Sequence, residues 1–193
     1  MNNLNSLSEN YPFDPATRTF TIPLRLKQYD DFFNPMDPSP APFRDLSYEM
    51  VDYLDQCSDE IENRYPVAIS LAMQVDKQDL KREEECVGSL RTYYRHLIFV
   101  SQARVRRKQG QALKYLLVSF LCLAVYVGSG QFDQIAFVLN LVREAILIGG
   151  WVFMWEAVTL NFIEMDTPVQ EIKKYRRLID AKIVFMYEDS AGQ

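Results

Sequence analysis

The sequence predicts an α+β fold: a small cytoplasmic α/β module fused to a two-helix transmembrane hairpin. Three observations point there. Residues Thr19–Leu26 and 67–75 alternate apolar and polar side chains at the two-residue period of a strand. The 19-residue stretch 112–130, ALKYLLVSFLCLAVYVGSG, carries one charge, Lys114, and at about 1.5 Å per residue it covers roughly the 30 Å of a hydrocarbon core. Basic residues gather at the outer flanks of the apolar region. Arg104, Arg106, Arg107 and Lys108 precede it and Lys173, Lys174, Arg176 and Arg177 follow it, whereas 129–135 holds only Asp133. Positive charge stays inside, so both ends are expected in the cytoplasm.

Element by element, residues 1–16 are polar, contain proline and lack periodicity, which reads as a disordered lead-in before a module over 17–108. In the first strand Phe20, Ile22, Leu24 and Leu26 share one face, and Pro23 demands an unpaired side there because it has no N–H. Prolines 35, 38, 40 and 42 then forbid helix and stiffen an extended loop. Asp45 is suited to cap a helix whose apolar positions Leu46, Met50, Tyr53, Leu54 and Cys57 form one face. With the strand over 67–75 this makes a strand–helix–strand unit, hence a parallel pair. Asp76, with Asp79 three residues on, opens a long helix striped by Val87, Leu90, Tyr94, Leu97, Ser101 and Val105.

The second span is expected over 137–163, with Asn140, Arg143 and Glu144 near its start and Glu156 late in it. The competing reading is a buried hairpin of a soluble protein, which needs more surrounding chain than 193 residues supply. The tail, 167–193, starts a helix at Thr167-Pro168. Ile183, Phe185 and Tyr187 then either add a third strand or continue the helix.

Net charge of −5 argues against a nucleic-acid binder. The three cysteines lack CxxC spacing and read as reduced packing residues; His96 is the only histidine, on a charged face. Neither a metal nor a cofactor site is expected, and no phosphate loop or nucleophile motif is present. The acidic runs around Glu60 and Glu84 read as solvated faces.

Two groups stand out. Asn140, Glu144, Trp151 and Trp155 fall along one helical stripe. A carboxylate there serves a polar contact or ion path, or else lies at the outer interface. The loop residues Asn34, Pro35, Asp37 and Pro38 form a docking loop, or a rigid connector. Small-residue pairs, Ala124 with Gly128 and Ala145 with Gly149, suit close helix packing.

The stretches Asn34-Pro-x-Asp37-Pro-Ser-Pro40 and Glu144-x5-Gly150-Trp151-x3-Trp155 resemble those of a family of small bacterial two-span inner-membrane proteins without an assigned activity. The resemblance covers most of the chain, implies architecture, and supplies no catalytic residues. The expectation is therefore a membrane-anchored interaction or regulatory protein, with a subunit of an oligomeric channel, pore or transporter as the alternative. Its partners would be membrane lipid and either further copies of itself or a neighbouring protein.

Overall fold

The computed structural model describes residues 7–40, 43–74, 78–129, 137–163 and 165–187. Among these, β1 (Phe13–Asp14), β2 (Thr19–Leu26), β3 (Val67–Met73) and β4 (Lys182–Tyr187) form one sheet in the order β1-β2-β3-β4. The β1·β2 pair is antiparallel, and β2, β3 and β4 run parallel. The helices are a 3-10 turn at Tyr29–Phe32, α1 (Tyr48–Glu60), α2 (Leu80–Ser129), α3 (Phe137–Phe162) and α4 (Asp166–Ile179). The chain divides into two compact units, Met1–Phe99 with Glu171–Gln193, and Val100–Gln170.

The first unit holds the sheet. Phe20 and Ile22 of β2, Val67, Ile69, Leu71 and Met73 of β3 are buried on one face, where Leu54 of α1, Leu90 and Tyr94 of α2 and Leu178 of α4 join the same core. Alternation in the sequence thus becomes a one-sided layer. The opposite face carries small or polar groups such as Thr21, Ala68 and Ala72, together with the half-exposed Met186. The third strand is formed: Ile69 pairs with Ile183 and Leu71 with Phe185, so the chain turns from helix to strand after Ile179.

Pro23 follows from the ladder. Phe20 N donates to Pro66 O, and Thr21 N donates to Pro12 O on the β1 side. Strand alternation points the nitrogen of Pro23 the same way as that of Thr21, beyond the end of the two-residue β1, where no acceptor waits.

Three expectations shift. Order begins before Thr17: residues 7–10 make a helical turn, Tyr11 is 6% exposed, and Asp14 anchors the next turn by accepting Ala16 N and Thr17 Oγ1. Tyr11 donates to Glu60 at 2.6 Å, a contact 49 positions away that periodicity does not report. The helix expected from Leu46 starts at Tyr48. Leu46 instead bridges Phe33, and Asp45 donates its N–H to Asp37 rather than capping. The long helix starts at Leu80 with Asp79 accepting Lys81 N and Arg82 N, while Val75 and Asp76 lie outside the described residues.

The second unit contains the apolar part of α2 and all of α3. Both helices are long and apolar enough to cross a membrane, and their most apolar stretches are only 11% and 6% buried within the chain. That exposure leaves a buried soluble hairpin without a cover here. The two helices meet closely at Gly150, where a Cβ would come within 3.1 Å of Cys122 Cβ and 3.5 Å of Ser119 O. Ser119 Oγ donates to Gly150 O at 2.8 Å. Gly128 and Gly149, the expected small-residue positions, have nothing within 4 Å of such a Cβ. The close approach therefore falls one residue further along, on the side of α3 that also buries Ala157 and Leu160.

Candidate functional site

Loop geometry in the first unit starts from two side chains that satisfy backbone N–H groups. Asn34, 8% exposed, accepts Met36 N through Oδ1 at 3.0 Å, and its own N–H donates to Asp45 O at 2.8 Å. Asp37 accepts Ser39 N at 3.0 Å and Asp45 N at 2.7 Å. The backbone N–H of Asp45 and the bonds to Ser39 hold its carboxyl below the usual aspartate range. The loop is thus closed at its base by Asp37, Asp45 and the Phe33–Leu46 bridge. Of the four loop residues singled out by sequence, Asn34 and Asp37 set the shape, and Pro35 and Pro38 are exposed.

This loop walls a groove of about 1080 Å³ between the C-terminal half of β2 and the first turns of α1. Asn34 and Pro35 line it; Asp37 and Pro38 do not. Its lining is mixed, with charged Arg25, Lys27 and Glu49 beside Met36 and Tyr48, which are 89% and 74% exposed. Among the lining residues, Arg44 stacks on Phe33 at 5.4 Å and lies 3.8 Å from Asp30, which also accepts Arg82 Nη1 at 2.9 Å. Asp31 is used internally, accepting Lys27 N and Gln28 N at 3.1 Å each. The place matters: crevices outside the carboxyl ends of parallel strands are where open α/β sheets receive ligands. Sequence reasoning found the loop and missed the groove, because β2 and α1 approach it from either side of the proline-rich stretch.

A second polar cluster fastens α4 to α1. Arg177 Nη1 donates to Ile61 O and Glu62 O, both at 2.9 Å, and Nη2 donates to Ser58 Oγ at 2.6 Å and to Ser58 O. A guanidinium thereby satisfies carbonyls that the end of α1 leaves open. Lys174 lies 3.0 Å from Asp59 and 3.9 Å from Asp55. Burial raises the Asp55 carboxyl, opposed by Lys174 and by the hydroxyl of Tyr94, which donates to it at 3.3 Å.

In the second unit, Asn140, Glu144, Trp151 and Trp155 are brought to one face of α3, and all four are exposed. That face does not meet α2. Arg143 differs: its guanidinium lies over the Tyr126 ring at 4.5 Å. Among the described residues no group of three His, Cys, Asp or Glu is placed to hold a metal ion. No family model, curated protein or solved structure matches this chain.

Proposed function

We propose that this chain is a membrane-anchored interaction protein of a bacterial inner membrane whose sheet-bearing unit lies in the cytoplasm and receives an extended segment of a partner protein in the groove beside β2. The groove carries this reading. Its walls are fixed by the Asn34 and Asp37 bonds, and Met36 and Tyr48 of its lining are exposed. Preformed walls lower the ordering penalty of binding, and exposed apolar residues supply area to bury.

The topology rests on two supports. β3 precedes both apolar helices and β4 follows them, yet the strands pair, which supports a chain that leaves and returns on one side of the membrane. The basic flanks favour the cytoplasm as that side.

The test uses full-length protein in native membranes with a photo-crosslinking residue at Tyr48. A discrete adduct is expected there, lost when Met36→Ser is added, and absent when the probe sits at the exposed Glu84 of α2. No adduct at Tyr48, or the same adduct at Glu84, refutes the groove as the docking site.

A further inference from the structure

Helix α3 carries a second, independent surface. Leu141, Glu144, Ile148, Trp151, Trp155 and Val158 are spaced alternately by three and four residues, all are exposed, and they lie away from the α2-facing side marked by Gly150, Ala157 and Leu160. A 3.5-residue repeat is the seam of a left-handed helix pair.

Depth decides what can cover this seam. Gly150 packs at Ser119 and Cys122, beside the centre of the apolar stretch 112–130. Tyr115 stacks near Phe153 at 6.0 Å, and Arg143 covers Tyr126, so the helices run antiparallel in step on both sides of that point. In the membrane hairpin proposed above, on which this inference rests, Trp151 sits at the midplane, and 64% of its surface is exposed. Outward-facing tryptophan belongs in the interfacial belts rather than at the midplane. Glu144 lies six residues before Gly150, about 9 Å toward the hairpin tip. With a half-thickness of roughly 15 Å, its Cα is about 6 Å inside the hydrocarbon. Ionisable groups at such depth face protein or water.

We infer that this seam packs against the same seam of a second copy, parallel to it across a two-fold axis along the membrane normal. Copies inserted with one topology place equal depths opposite each other, so Trp151 meets Trp151 at the midplane and the two Glu144 residues share one layer. Asn140, one turn away, brings N–H donors to that layer, and the carboxylates accept. The seam is thus complementary to itself at its polar position, whereas a different partner has to supply a matching donor at the same depth. Arg143, over Tyr126 in its own hairpin, takes no part.

The experiment uses full-length protein in lipid vesicles, with Cys57, Cys86 and Cys122 replaced and one cysteine introduced at Ile148, Trp151 or Val142. Val142 is 50% exposed and points away from the seam. Mild oxidation is expected to link Ile148→Cys and Trp151→Cys into dimers and to leave Val142→Cys unlinked. Without introduced cysteines, dilution into excess lipid should show Glu144→Leu dimerising roughly tenfold more weakly, the effect of losing interhelical hydrogen bonds. Glu144→Gln, which still accepts through its amide oxygen, should stay within about twofold to threefold of the native chain. Equal linking at all three positions, linking at none, or undiminished dimerisation of Glu144→Leu overturns the proposal. So does recovery from native membranes of Trp151→Cys adducts with another protein and none with itself.

Discussion

Removing the Arg177 guanidinium tests whether α4 is a structural part of the first unit. The side chain makes three bonds of 2.6–2.9 Å to Ser58 Oγ, Ile61 O and Glu62 O, all at the C-terminal end of α1 or just beyond it. Hydrogen bonds to a charged group contribute about 1.5–3 kcal/mol each, which sets an upper range of about 5–9 kcal/mol for three. Arg177→Met also relieves the desolvation of a half-buried cation, an opposing effect of several kcal/mol. The expected net loss is about 2–4 kcal/mol, a large share of a typical 5–15 kcal/mol stability. Urea unfolding of the full-length protein in detergent measures it, with amide exchange over 58–65 as the local readout. Arg177→Lys, whose ammonium lacks the planar fork, should lose about half as much. An unchanged midpoint together with unchanged exchange at residues 58–65 would show that these contacts contribute nothing.

The other expectations probe the core, two titrations and the topology. Ile69, 1% exposed between Ile22 and Ile183, should not tolerate Asp: a buried unpaired charge costs several kcal/mol, visible as lost accumulation and a lower melting temperature. Because the folded Asp55 carboxyl is raised above 3.8, its stabilising contribution is present below that value and is lost as pH rises through the folded pKa. Asp55→Asn should therefore melt higher than the native protein at neutral pH, the gap closing in acid; a lower melting temperature at neutral pH would mean that pairing with Lys174 outweighs burial. Asp37 runs the other way, its contribution being present above 3.8 and lost as pH falls through its depressed folded value. Exchange of the Ser39 and Asp45 amides should accelerate in acid, and Asp37→Asn should flatten that response. Cysteine labelling should find Gly110 and Tyr175 on the cytoplasmic side and Gln131 on the opposite side; cytoplasmic labelling of Gln131 would remove the hairpin.

Local pattern carried most of the architecture. Alternation marked β2 and β3, and Ile183, Phe185 and Tyr187 allowed β4, because a strand facing one core announces itself every second residue. The 50-residue α2 was legible in two pieces, a striped helix and an apolar span; nothing between them breaks the backbone, since Gly110 is the only weak helix former in 106–111. Contacts across long separations were not legible. Arg177 counted in the sequence as one of four basic residues marking the inner flank, yet it spends its donors on α1, and Lys174 beside it pairs with Asp59. The same limit hid the groove: Asn34 and Pro35 were visible as an unusual loop, but the opposing walls come from β2 and α1. On α3 the stripe was correctly placed on one face, whereas the side turned toward α2 depended on Gly150 rather than on the paired small residues.

The strand that seals β3 is made after both apolar helices. Ser70 and Met186, neighbours across that seam, are 116 positions apart, and every residue of both apolar helices is synthesised between them. A nascent chain therefore waits with one edge of β3 bare until both apolar helices and β4 have been made. Helical folding of the intervening chain shortens the search, since compact segments replace loose loop. The waiting edge is still a template for unwanted pairing and a handle for proteases. Chains that stall before β4 thus carry an unfinished sheet, and completing the chain and closing the sheet become one event.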